Sequence, residues 1–470
     1  MNDRRFESIK QITYEGFGID SVTLETSGTF QWEKPDGTQA EVSELPAFVR
    51  VRATALPETK SFIRIEIWLP AENWNKKFCG TGNGGLGGEL HYSILADPLR
   101  EGYAVAHTDL GTTKHLTHPE VEQRDFGYKA TFDMTRLGQI VTEAFYGVAP
   151  SRSYYQGGST GGQMGLKMAQ CYPELYDGIY VTCPVTTRTH LHIGFLWTAL
   201  AMRAAQFTDE QLTKIARAAI AQNVGKDGGA PDDTFLTDPR LAAFDYEALR
   251  DDFTPEQIAL VRHIHSSVRN PRTGENVTVP PPLGSEATDN FILRLYFEWP
   301  LDFLKGMDYD ITRFDFDRDV DEMNTAQAAD LNAVNTDLSA FHARGGKLIA
   351  SAGTSDAIVP FTYLTHYYEE VIERFGGLEA VQEFFRMYIV PGQGHGSTHL
   401  ADKTSFDALV RWVEQGEQPA ALPCAWEGAD GKKYTRPAFP YPAFPHYTGG
   451  DPADAANFKP VVHPLGYKYI

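Results

Sequence analysis

The 470-residue chain reads as an α/β protein with a large, mainly helical insertion. Three observations predict it. Short apolar runs that end in glycine or a polar turn (KKFCGTGNGG, GYAVAHTDLG, GGKLIASAGTSD, EFFRMYIVPGQGHG) have the form of sheet strands running into functional loops. The stretch from about 186 to 335 changes to helical periodicity, broken by polar, proline-rich loops such as NPRTGENVTVPPPLGSE. Between the second and third strand runs, SYYQGGSTGGQMGL (153–166) gathers glycines around one serine, Ser159, where a strand turns into a helix.

Taken in order, the first 70 residues alternate apolar and polar positions at period two (SVTLET, AFVRVRATAL, SFIRIEIWLP), which predicts antiparallel strands. FDMTRLGQIVTEAFY, residues 132–146, has apolar residues at helical spacing, and VAPSRSYYQGGS then supplies a turn and a short strand. Inside the insertion, TALAMRAAQ, DEQLTKIARAAIAQ and PEQIALVRHIHSSV are helical patterns. SFDALVRWVEQG predicts an amphipathic helix, and the last fifty residues, rich in proline and aromatics (TRPAFPYPAFPHY), an irregular tail packed on the surface. The expected division is core residues 1–185, an inserted domain over 186–335, and core residues 336–470.

Composition narrows the function. With 42 Lys and Arg against 62 Asp and Glu, the formal charge of −20 repels phosphate backbones and anionic lipid, which speaks against nucleic-acid and membrane partners. No apolar run approaches the ~20 residues of a membrane span. The four cysteines, Cys79, Cys171, Cys183 and Cys424, show no CxxC spacing, so they read as reduced, mostly buried thiols and not as zinc ligands or a disulfide framework. Thiol usage favours the cytoplasm, with a secreted or periplasmic protein stripped of its leader as the alternative. The oligomeric state is not encoded in any pattern.

A serine hydroxyl is a poor nucleophile unless a base takes its proton and the backbone projects it toward a carbonyl. Gly157-Gly158-Ser159-Thr160-Gly161 fits the G-x-S-x-G nucleophile elbow of an α/β-hydrolase core, where small neighbours permit a sharp turn. A glycine-rich turn with a capping serine is the bland alternative. An elbow enzyme of this topology has an acid and then a histidine further along, each on a loop after a strand. Asp356 in LIASAGTSDAIVP and His395 in RMYIVPGQGHG stand in that order. Asp337 and His399 compete for the two roles, but Asp337 precedes its strand and His399 lies four residues deeper. Oxyanion donors are expected from Thr160 N–H and from Gly84 and Gly85 in FCGTGNGGLGG (78–88). No phosphate-loop signature accompanies those glycines. HIGFLWTALAM (192–202) and FILRLYFEWP (291–300) could wall a planar ring, although most of their residues read as core of the insertion.

The chain resembles the tannase and feruloyl esterase family of α/β hydrolases, which also contains mono-hydroxyethyl-terephthalate hydrolase. The likeness runs through WNKKFCGTGNGGLGG, EGYAVAHTDLG, DFGYKATFD, FYGVAPSRSYYQGGSTGGQMGLKMAQCYPELYDGI, DLSAFHARGGKLI, AGTSDAIVP, VPGQGHG and RPAFPYP. It implies an α/β-hydrolase core, a large lid inserted after the elbow helix, and hydrolysis of esters of aromatic acids. A small-molecule substrate and no cofactor are expected. The same triad on an amide or carbon–carbon bond, or a silent hydrolase-like binding protein, are the rival readings. The chain departs from the family pattern where relatives carry a cysteine pair beside the catalytic serine and histidine. Gly158 and Gly396 stand there, and Phe439 and Lys459 replace tail cysteines. The family's calcium loop corresponds to VGKDGGAPDDTFLTDPR. It keeps Asp227, Asp232, Asp233 and Asp238 but has Lys226 and Gly229 at ligand positions, so no metal is expected.

Overall fold

The computed structural model describes residues 4–113, 115–203, 207–287, 299–396 and 399–466. The chain forms two compact units, Met1–Val181 with Leu338–Lys347, and Thr182–Asp337 with Leu348–Ile470. Among the described residues, no helix is long and apolar enough to cross a membrane.

In the first unit the period-two segments form strands β1 (Phe17–Glu25), β2 (Phe30–Glu33), β3 (Gln39–Val42), β4 (Phe48–Ala55) and β5 (Ile63–Pro70). β1, β4 and β5 pair antiparallel, while β2 and β3 make a separate ribbon. The strands β6 (Lys77–Thr81), β7 (Ala104–Thr108), β8 (Arg152–Gly158) and β9 (Gly178–Thr182) extend the sheet in the order β1-β4-β5-β7-β6-β8-β9. β6 pairs parallel with both β7 and β8, and β6 and β7 are buried along almost their whole length. Such near-continuous apolar runs are what a strand needs when helices cover both faces. The helix Ala130–Tyr146 packs on β5, β6 and β7, and Thr160–Cys171 packs on β8. The first is followed by a turn and β8, and the second follows β8 at the elbow, both as expected.

In the second unit, the described residues between 188 and 331 are mainly helical, with Arg188–Met202, Asp209–Asn223, Pro255–Ile264, Trp299–Lys305 and Arg318–Leu331 as the principal helices. Capping boxes begin two of them: Thr208 with Gln211, and Thr254 with Gln257, each side chain satisfying the other residue's backbone N–H. The block builds two apolar clusters. One gathers Phe207, Leu212, Ile215, Phe253 and Leu260, the other Ile193, Leu196, Val268, Leu301 and Met323. Strands β10 (Lys347–Gly353) and β11 (Phe385–Val390) pair parallel with Gly353 opposite Val390, so their following loops leave from the same end.

The last segment corrects the sequence reading. It is not irregular: β12 (Leu422–Glu427) pairs with β13 (Lys433–Ala438), and β14 (Ala443–Tyr447) with β15 (Phe458–Val462). Prolines are tolerated because one edge of each strand in a two-stranded ribbon lies outside the ladder, so a proline nitrogen facing that edge costs no ladder hydrogen bond. Nor does the segment only coat the surface, since Tyr441 and Phe444 are fully buried.

Candidate active site

Ser159 sits between β8 and the helix Thr160–Cys171 with φ 55° and ψ −118°, a conformation that costs a non-glycine residue on the order of 1–3 kcal/mol. Its side chain does not cap the helix, which removes the capping-serine alternative, while its carbonyl accepts from Gln163 N–H at 3.0 Å. The flanking glycines are explained by contact. A Cβ on Gly157 would lie 2.8 Å from the Gly161 carbonyl, and one on Gly161 would lie 2.8 Å from Gly82 Cα. Three backbones therefore meet where no side chain fits, and Gly82 is the partner that sequence reasoning passed over.

The 82–88 loop is held tightly. Asn83 Nδ2 donates to the Glu89 and Thr108 carbonyls, each at 2.8 Å, and Thr112 Oγ1 donates to Leu86 O at 2.7 Å. Thr160 Oγ1 donates to Gly85 O at 2.6 Å, tying the loop to the first residue of the elbow helix. Of the two glycines expected as oxyanion donors, Gly84 directs its N–H to Asn83 Oδ1 at 2.7 Å. The Gly85 N–H has no partner among the described residues and lies on the exposed part of the loop.

In the second unit, Asp356 and His395 come together from the loops after β10 and β11. His395 Nδ1–H donates to Asp356 Oδ2 at 2.9 Å, and Asp356 Oδ1 accepts the N–H groups of Ile358 and Val359 at 2.9 and 2.8 Å. The side chain of Asp356 is 1% exposed and that of His395 18%. Gly353 makes the approach possible, because a Cβ there would fall 1.9 Å from Gln393 O. Burial opposes a charge on His395, but the Asp356 carboxylate and its hydrogen bond outweigh it and push the imidazole well above its ordinary value. The competitors lie elsewhere: Asp337 pairs with Arg374 at 3.1 Å, and His399 donates to Pro391 O and stacks on Trp426.

Sequence reasoning missed Cys183. It follows β9 in a left-handed conformation (φ 37°), and its Sγ lies within 4.8 Å of a His395 ring nitrogen and an Asp356 oxygen. Expected to be a buried thiol, it is half-exposed instead, and Cys171 is exposed because it ends its helix. All four cysteines are unpaired.

Beside Asp356, a narrow apolar cleft open to solvent is lined by Phe195, Trp197, Val279, Ile358 and Tyr363 among others. From HIGFLWTALAM, Phe195 and Trp197 reach the cleft, whereas Ile193 and Leu196 are core residues. The companion stretch FILRLYFEWP lies outside the described side chains.

The family model for tannase and feruloyl esterase matches residues 49–291 and 280–461. The chain belongs to the tannase and feruloyl esterase family. An uncharacterised esterase of Xanthomonas campestris pv. campestris is 31% identical over 95% of this chain and 89% of its own length. The crystal structure of feruloyl esterase B from Aspergillus oryzae superposes with a TM-score of 0.87 at 25% identity, covering 98% of this chain and 100% of the other. Tannin acyl hydrolase from Aspergillus niger shares the fold, with a TM-score of 0.74 at 20% identity over 97% and 95% of the two chains. This tannase-family protein is an α/β-hydrolase-like carboxylic-ester hydrolase with small-molecule ester substrates.

The calcium loop that the family implies does not fit the residues present in this member. Asp233 gives both carboxylate oxygens to the guanidinium of Arg436, at 2.8 and 2.9 Å. Asp238 is bound by Arg240 and by His463 Nδ1, and Asp227 accepts the N–H groups of Gly229 and Asp238. Lys226 turns to Gln222 O, and Asp232 is exposed. Calcium needs six to eight oxygen ligands, and here protein cations and N–H groups already occupy Asp227, Asp233 and Asp238. Adding EDTA or calcium is therefore expected to leave the melting temperature unchanged. A loss of several degrees with EDTA that calcium restores would show a bound ion.

Proposed function

We propose that this esterase hydrolyses esters of aromatic acids through Ser159, His395 and Asp356 with an acyl-enzyme intermediate. The observation that carries the proposal is the His395–Asp356 hydrogen bond on adjoining strand-end loops, in a chain whose one elbow serine is spared from helix capping. In this scheme Ser159 Oγ attacks the ester carbonyl while His395 accepts its proton and passes it to the leaving alcohol. Asp356, held by the N–H groups of Ile358 and Val359, fixes the Nδ1–H tautomer and stabilises the imidazolium. The N–H groups of Thr160 and Gly85 receive the oxyanion, with Gly84 shaping the loop through Asn83. Water activated by His395 then releases the acid.

The cleft lined by Phe195, Trp197 and Tyr363 is the proposed acyl pocket, where aromatic walls suit a planar ring. The name of the Aspergillus oryzae relative, feruloyl esterase B, supports an aromatic acid. Residues 186–335 are proposed as a lid inserted between core segments 1–185 and 336–470, supported by the block's own two apolar clusters. The cytoplasm is proposed on thiol state alone, four unpaired cysteines suiting a reducing compartment.

A panel of methyl gallate, methyl hydroxycinnamates, methyl benzoates and p-nitrophenyl acetate, each paired with its amide, tests the reading. Aromatic methyl esters should be turned over with kcat/KM above that of the acetate, and the amides left intact. Preference for the acetate, or equal amide cleavage, would refute the aromatic-ester assignment.

A further inference from the structure

Cys183, His395 and Asp356 form the one group among the described residues whose donor atoms converge as metal ligands do. They differ in kind, offering a sulfur, an imidazole nitrogen and a carboxylate oxygen, all within 4.8 Å of one another. Tetrahedral zinc, bound at 2.0–2.3 Å, spaces its ligand atoms about 3.3–3.8 Å apart, so side-chain adjustment of about an ångström closes the set. Three protein donors with a fourth position left to water is the usual arrangement of an open zinc site. Sulfur in the set selects for thiophilic cations over calcium or magnesium.

The thiol is held in place by its backbone. Cys183 N–H donates to Ser351 O at 2.6 Å, Pro184 follows it, and the left-handed φ of 37° is one that a non-glycine residue keeps only when its surroundings impose it. Cys183 and His395 are both partly open to solvent, which gives an ion a way in, while the buried Asp356 backs the pair.

We propose that Cys183, His395 and Asp356 constitute an inhibitory site for a thiophilic divalent cation of the zinc or cadmium class. Binding releases the thiol proton to solvent and commits one imidazole nitrogen to the metal; where that nitrogen is Nδ1, its proton moves to Nε2. A metal on either ring nitrogen prevents His395 from accepting a proton at Nε2, so the ester cannot be attacked. The ion is a reversible inhibitor and not a resident cofactor. The inhibitory half rests on the proposed role of His395, whereas the binding half does not.

Two arms keep these separable. In the first, Cd²⁺ is titrated into Ser159→Ala protein and the thiolate-to-cadmium charge-transfer absorbance is recorded. One equivalent should bind, and the band should vanish when Cys183→Ser or Cys183→Ala is added but persist with Cys171→Ala. In the second, Zn²⁺ should inhibit ester hydrolysis by the unmodified enzyme and EDTA should restore it. The inhibition constant should weaken at least tenfold in Cys183→Ser, each variant being compared with its own metal-free rate. A cadmium band that survives loss of Cys183, or one that disappears with Cys171, overturns the site. Binding at Cys183 without inhibition keeps the site and refutes His395 as the base.

Discussion

Replacing Ser159 with alanine is expected to lower kcat/KM for aromatic methyl esters by about 10⁴-fold or more, the scale of losing a triad nucleophile. His395→Ala should cost a similar factor, and the double variant little more than either alone. Nonadditivity is the informative part. A base whose every task depends on the acyl-enzyme that Ser159 forms has nothing left to do once the serine is gone, so the two losses cannot multiply. Circular dichroism and melting curves should match the parent, because a strained left-handed serine contributes no packing that alanine lacks. Multiplying losses in the double variant would mean that the two residues act in separate steps.

The largest expected effect on stability lies away from the chemistry. Arg436 and Asp233 have side chains 1% and 5% exposed, and the guanidinium also stacks 4.1 Å from the Phe458 ring centroid. Arg436→Met should cost on the order of 3–5 kcal/mol, because it strands a buried carboxylate without its cation. Adding Asp233→Asn should recover part of the loss by removing that charge. Thermal melting measures both, each kcal/mol shifting the midpoint by roughly 2–4 °C or less in a chain of this size. A single Arg436→Met variant that melts within about 1 °C of the parent would show that the pair is dispensable.

These two sites differ in how far the sequence disclosed them. The elbow is written into consecutive residues: the turn at Ser159 needs Gly157 and Gly161 in place, so a local pattern reveals it. Asp356 and His395 were legible for a related reason, each following an apolar strand run by a few residues and each in the required chain order. The Arg436–Asp233 pair joins residues 203 positions apart, and no local pattern ties an arginine in a proline-rich tail to an aspartate in a glycine-rich loop. That same tail was misread as irregular because proline content was weighed without asking whether one free strand edge would suffice. Cys183 escaped for another reason. A left-handed backbone at a cysteine carries no compositional signal, whereas glycine would have announced it. The pairing of the 82–88 loop with Thr160 also depends on tertiary approach, and only the glycine density of that loop hinted at it.

Activity-based labelling shows whether Ser159 is the nucleophile of this ester hydrolase. The purified enzyme is treated with a fluorophosphonate while ester hydrolysis is followed, and the modified peptide is then mapped by mass spectrometry. One covalent adduct is expected, on Ser159, whose formation parallels the loss of activity and which is absent from Ser159→Ala and greatly slowed in His395→Ala. An enzyme that loses activity with the adduct on another residue, or hydrolyses aromatic esters while Ser159 stays unlabelled, would contradict that role.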